Sequence, residues 1–185
     1  MLSIVDAQLT LDILCGKVSL ARQSIPHIDG MDAPPVGAAF WSSDYACVLL
    51  WPIVNFNLTG YQEGAAMALD FLDSVLSGEE LLKKHVDGYL VLALENKPTS
   101  ELDLAVRTLE LSTNICRKHT IWLDDPSTSV VWSRISDISV LGLPDMTAKT
   151  SEILTWPTMS EEVKALWLEI GGYGVVHVDG EKNGR

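Results

Sequence analysis

The chain alternates between segments whose apolar residues recur every three or four positions and short runs that are apolar almost throughout. The first rhythm marks helices that bury one face, and the second marks strands covered on both sides. Leu9, Ile13, Leu14, Val18 and Ala21 lay out one helical face over residues 7–23, although Gly16 weakens it. Pro26, Gly30, Pro34 and Pro35 make residues 24–36 a loop. Residues 38–41 and 45–56 read as strands joined by the turn-forming Ser42-Ser43-Asp44, and Pro52 ends or bulges the second ladder. Thr59-Gly-Tyr-Gln62 has the form of a capping box. It opens a helix with Ala65, Ala66, Leu69, Leu72, Val75 and Leu76 on one stripe, closed by Gly78. Residues 79–85 suit a short second helix.

Tyr89 to Leu94 is the next apolar run. Pro98-Thr-Ser starts a helix whose stripe is Leu102, Ala105, Val106, Leu109 and Cys116, and residues 118–123 form another strand. Two apolar strands with a helix between them predict a right-handed βαβ crossover at about 86–123. Residues 130–143 fit a strand or a helix, stopped by Gly142 and Pro144. A second capping box, Thr158-Met-Ser-Glu161, opens a helix with Val163, Leu166, Trp167 and Ile170 on one face. Gly171-Gly-Tyr-Gly174 ends it, residues 175–178 suit a terminal strand, and 181–185 a frayed tail. The fold class is α/β, with α+β as the alternative: one domain over 1–185, a mixed sheet flanked by helices. Residues 45–56, 89–94 and 118–123 are the expected central strands, with helices 62–76 and 100–115 packed on them.

At 185 residues the chain suffices for one domain with a proper core. Its formal net charge is −12, from 13 basic and 25 acidic residues, a field that repels phosphate backbones and argues against direct nucleic-acid binding. Cys15, Cys47 and Cys116 form no CxxC pair and no zinc pattern with His27, His85, His119 or His177, as expected of reduced, buried thiols. Residues 1–13 mix Asp6 and Asp12 into apolar positions without a basic lead, unlike a signal peptide, and no apolar run reaches the length of a membrane span. The expectation is a soluble, cytoplasmic chain without a membrane role.

Glu95-Asn-Lys97 alone has the shape of a catalytic motif. Restriction-type nucleases pair Glu-x-Lys with an acid on a neighbouring strand to hold Mg²⁺. Asp87 lies too far along the same strand, and Asp70 and Asp73 fall on a helix, so a solvated turn explains the motif more simply. Arg117-Lys-His119 reads as a charged strand entrance or a partner-contacting patch, Arg117 and His119 on one side and Lys118 on the other. The glycine run at 171–174 follows a helix and lacks the Lys-Ser/Thr of a phosphate loop. Six tryptophans crowd a core of this size, so at least one is expected at an interface, Trp156 first and Trp132 second.

The pair Asp87-Gly-Tyr-Leu-Val-Leu-Ala-Leu94 and Cys116-Arg-Lys-His-Thr-Ile-Trp-Leu123, at this separation, resembles the small middle components of three-component ABC-ATPase systems, bacterial antiphage operons of the Lamassu kind. The resemblance covers about residues 86–123. It implies a non-enzymatic accessory subunit that joins an SMC-like ATPase near its head or coiled-coil base and helps position or restrain an effector, often a nuclease. ATP and Mg²⁺ would then belong to the ATPase, with no cofactor in this chain and contacts through Trp156, Trp132, Arg117 and Lys118. Two other classes stand beside it: a Mg²⁺-dependent nuclease-like domain using Glu95 and Lys97, and a small-molecule sensor domain.

Overall fold

A computed structural model describes residues 2–81, 85–125 and 129–142, all within Met1–Met146, the first of two units into which the chain divides. The expectations on Trp156, Trp167, the helix after Thr158 and the terminal strand and tail lie outside the described residues.

The described elements run α1 (Leu2–Lys17), β1 (Ala21–Gln23), β2 (Ala39–Ser42), β3 (Ala46–Pro52), α2 (Leu58–Leu81), β4 (Asp87–Leu94), α3 (Ser100–Leu111), β5 (Arg117–Asp125) and β6 (Ser129–Ser133). Two 3₁₀ turns follow, Ile135–Asp137 and Ser139–Gly142. The strands form one mixed sheet in sequence order. β3, β4 and β5 are parallel, and the outer pairs β1–β2, β2–β3 and β5–β6 are antiparallel. This is the α/β mixed sheet that the periodicity predicts, with two successive crossovers through α2 and α3.

β4 explains the layering. All of it from Gly88 to Leu94 is buried, so both faces need covers. Leu90, Leu92 and Leu94 pack with Leu49, Trp51, Phe71, Leu72 and Val106 under α2 and α3. Tyr89, Val91 and Ala93 pack with Trp41, Val48, Ile121 and Trp132 under α1 and the 3₁₀ turns. Large side chains buried this way contribute about 1.5–3 kcal/mol each, enough to fix the register of every central strand.

Several local expectations are corrected. α1 spans Leu2–Lys17 rather than 7–23, and residues 21–23 leave the helix to become β1. Its buried face is Ala7, Leu11 and Cys15, with Ile4, Leu14 and Val18 beside it, whereas Leu9 and Ile13 point to solvent. β3 stops at Pro52, not Phe56, because proline has no amide to continue the ladder. The cap of α2 is Asn57, two residues ahead of the capping box, with Gly60 N–H donating to Asn57 Oδ1 at 2.7 Å. α2 also runs through Gly78 to Leu81 as one helix. α3 ends at Leu111, which leaves Cys116 just ahead of β5 rather than on the helical stripe. Of residues 130–143, open to either reading, the described ones, 130–142, divide into β6 and the 3₁₀ turns.

Gly88 marks a tight approach between α2 and the sheet. A Cβ there would lie 2.7 Å from Leu76 Cδ1 and 3.1 Å from Cys116 Cβ. Gly88→Val is expected to destabilise the protein by about 1–3 kcal/mol through overpacking. The check is thermal unfolding, where each kcal/mol moves Tm by about 2–4 °C in a chain of this size; an unchanged Tm would mean that α2 yields at this point.

Candidate interaction site

α1 carries the most unusual surface of the described chain. Its inner face holds the α1-side core, and Asp12 anchors it sideways. Asp12 Oδ1 accepts from Trp41 Nε1 at 2.8 Å, and Oδ2 from the Arg22 guanidinium at 3.0 Å. That guanidinium lies over the Trp41 ring, 5.4 Å from its centroid. Gln8 Nε2 donates to the Gly37 carbonyl at 2.8 Å. The helix is therefore fixed in rotation, and its outer face is determined. On that face Val5, Leu9 and Ile13 are 47%, 55% and 64% exposed, one turn apart and opposite Ala7, Leu11 and Cys15. The sequence reading missed this second stripe because it merged Leu9 and Ile13 with the inner face. The available signal was the pair of interleaved four-residue spacings, 5-9-13 and 7-11-15.

The basic cluster at the start of β5 divides between exterior and interior. Arg117 is exposed, its guanidinium 5.7 Å from the Tyr89 ring centroid. Lys118 is only 4% exposed. Its Nζ donates to the carbonyls of Ser112, Asn114 and Cys116 at 2.8, 2.7 and 3.1 Å, so all three of its protons are used. Those bonds hold the turn between α3 and β5, in which Ile115 sits at φ +68°, a left-handed conformation that costs a β-branched residue about 1–2 kcal/mol. Lys118 is thus a structural tie with no proton free for a partner. Trp132 is likewise interior at 8% exposure, because its register opposite Leu123 turns it onto the α1-side core. The expectation of an exposed tryptophan consequently does not rest on Trp132. Trp41 and Trp51 are also buried, and Trp122 is half-buried.

Beyond Lys118 a second polar cluster closes the edge of β5. β6 pairs with β5 only from Trp122 onward, which leaves the β6-facing backbone of Thr120 without a strand partner. Glu110 Oε1 accepts from Thr120 N–H at 2.7 Å, and Arg134 donates to the Thr120 carbonyl at 3.0 Å. Arg134 and Glu110 form a two-pronged pair at 2.9 and 3.0 Å, and the guanidinium lies 5.2 Å from the Trp122 ring centroid. The Tyr61 hydroxyl reaches Thr120 Oγ1 at 3.1 Å, and burial pushes its pKa up to about 12, so it remains a phenol. The cluster replaces missing strand pairing; its polar groups are engaged with one another.

Glu95 and Lys97 are exposed in the turn after β4, and among the described residues no group of three His, Cys, Asp or Glu side chains could hold a metal ion. Cys15, Cys47 and Cys116 are all buried, and burial together with Asp12 pushes Cys15 up to about 12. Among the described residues no helix is long and apolar enough to cross a membrane. No protein-family model, curated protein or solved structure matches the chain.

Lys118→Met is expected to keep the buried stem but lose the charged hydrogen bonds. A loss of about 1.5–3 kcal/mol by denaturant unfolding is the expected outcome; an equally stable variant would show that the turn holds itself. A second measurement concerns His119, whose Nε2 is buried without a hydrogen-bond partner. Burial lowers its pKa below the usual 6.5, Arg134 and Arg117 acting with burial and Glu110 and Asp137 against it. The unfolded chain binds this proton more readily. The neutral ring's contribution is therefore complete above about pH 6.5 and is lost as pH falls through the lower folded-state value. His119→Leu should flatten the decline of unfolding free energy between about pH 6.5 and 5 relative to the parent chain.

Proposed function

We propose that this chain is a non-enzymatic accessory subunit of a bacterial antiphage complex, joining an SMC-like ATPase and helping to position or restrain its effector. The outer stripe of α1 carries this reading. A helix that is apolar on opposite faces is ordinarily covered on both, and among the described residues α1 is covered on one. Val5, Leu9 and Ile13 fall at the spacing that inserts into the grooves of a neighbouring helix. A coiled-coil base offers such helices in long supply. The resemblance across residues 86–123 points to the same class of partner.

Magnitudes limit how much the stripe does alone. Three aliphatic side chains already half-covered stand to gain about half of the roughly 1.5–3 kcal/mol that full burial of each contributes. That is a docking contact, not a whole interface, since stable complexes bury about 1,200–2,000 Å² in total. Arg117, exposed at the start of β5, is available to a surrounding rim. ATP and Mg²⁺ would be bound by the ATPase.

The double variant Leu9→Glu/Ile13→Glu is expected to retain the parent's circular dichroism and Tm, because both side chains already face water, while losing copurification with a coiled-coil ATPase from the native source. Retention of the ATPase at the parent level would place the contact elsewhere. Pull-down of the unaltered tagged chain without any ATPase would overturn the proposed function itself.

A further inference from the structure

We infer that two adjoining clefts between α2 and the loop at residues 31–35 are a docking site for an extended, Lys- or Arg-bearing segment of a second protein partner. One cleft, lined by Asp32 and Asp70, has a volume of about 120 Å³. Its neighbour, lined by Glu63, has about 210 Å³, and the two share Trp51 and Met67. Glu63, Met67, Asp70 and Phe71 fall on one face of α2, so a single helix face forms one wall. From Glu63 to Asp70 the helix rises about 10.5 Å, the length of about three extended residues. The loop wall is pinned before any ligand arrives. Met31 N–H donates to the Ile28 carbonyl at 3.2 Å and Ala38 N–H to the Pro35 carbonyl at 3.0 Å, while the Gly37 carbonyl accepts from Gln8. Pro34 and Pro35 stiffen the stretch between, which lowers the ordering cost of binding.

Three features of the lining specify the occupant. The first is charge: Asp32, Glu63 and Asp70 are exposed, and no Lys or Arg lines either cleft. None of the three carboxylates is ion-paired among the described residues. A cation entering the smaller cleft therefore meets two unneutralised carboxylates. The second is an adaptable apolar lining, Met31 and Met67 beside the Trp51 and Phe71 rings, whose centroids lie 5.7 Å apart. Such a surface receives the aliphatic stem of Lys or Arg and an aromatic face receives its head. The third is a donor without an acceptor. Trp51 is 4% exposed, and its indole N–H has no hydrogen-bond partner among the described residues. A simple cation answers only the first feature. A basic peptide answers all three, with its charged head, its stem and a main-chain carbonyl. A second copy of this chain is disfavoured by its net charge of −12. Trp51 and Phe71 belong to the core layer under α2 and α3, so this surface is separate from the α1 stripe and its ATPase reading.

The test is fluorescence anisotropy of labelled peptides against the full chain. The probes are Gly-Ser-Leu-Arg-Leu-Ser-Gly, its Lys counterpart, and a version with citrulline, which keeps the shape of arginine without its charge. The Arg and Lys peptides should bind at least about tenfold more tightly than the citrulline peptide. Asp32→Asn with Asp70→Asn should weaken the Arg peptide about tenfold or more with Tm unchanged, because both side chains already face water. Asp44→Asn with Glu95→Gln removes the same charge from exposed positions outside the clefts and should change binding by no more than about twofold. Trp51→Phe keeps a ring but removes the N–H, and should weaken the Arg peptide about threefold or more while circular dichroism stays at the parent's. Leu9→Glu with Ile13→Glu on α1 should leave peptide binding as it is, which separates this surface from the ATPase contact. Equal weakening by the two carboxylate pairs would overturn the inference, since it would reduce the effect to general charge attraction. So would the absence of saturable binding by the Arg and Lys peptides alike. Agmatine, the amine of arginine without a main chain, binding as tightly as the Arg peptide would overturn it too, because a small amine would then be the occupant.

Discussion

A parallel strand buried on both faces dictates most of this architecture. Once Leu90, Leu92 and Leu94 point one way and Tyr89, Val91 and Ala93 the other, no single layer satisfies β4. The crossovers β3–α2–β4 and β4–α3–β5 supply one cover, since parallel neighbours must be joined across a face and nearly always with the same hand. That places α2 and α3 side by side on the same face. The opposite face has to be covered by something else, and α1 with the turns after β6 does so. The flanking strands β1, β2 and β6 pair antiparallel and extend the sheet on either side of this parallel core.

The interior polar groups serve the backbone at the places where that scheme frays. The chain leaves α3, passes through the left-handed Ile115 and enters β5, and the Lys118 ammonium gathers the carbonyls released by the turn. A few residues on, Glu110 and Arg134 stand in for the strand that Thr120 lacks. Burying an ammonium or a guanidinium–carboxylate pair is costly unless each donor finds an acceptor. Here the geometry supplies those acceptors, and burial holds Tyr61 and Cys15 in their neutral forms. Residues that read in sequence as a charged strand entrance or a partner-contacting patch are accordingly split by the two-residue period of the strand. Arg117 goes outward and Lys118 goes in.

The central βαβ unit was legible because its signals are local and redundant: near-continuous apolar runs, a proline-led helix start and consistent stripes. The α1 stripe and Trp132 were less so, for different reasons. On α1 the amphipathic contrast is nearly absent, because Val5, Leu9 and Ile13 mirror Ala7, Leu11 and Cys15; a periodicity argument finds a helix but not its inner side. Only tertiary anchors, Asp12 to Trp41 and Gln8 to Gly37, decide the rotation. Trp132 follows a stretch without clear period, and its burial depends on antiparallel registry with Leu123. Lys118 illustrates a third limit. Charge predicts solvent, and the acceptors that overrule it are backbone carbonyls, which composition does not display.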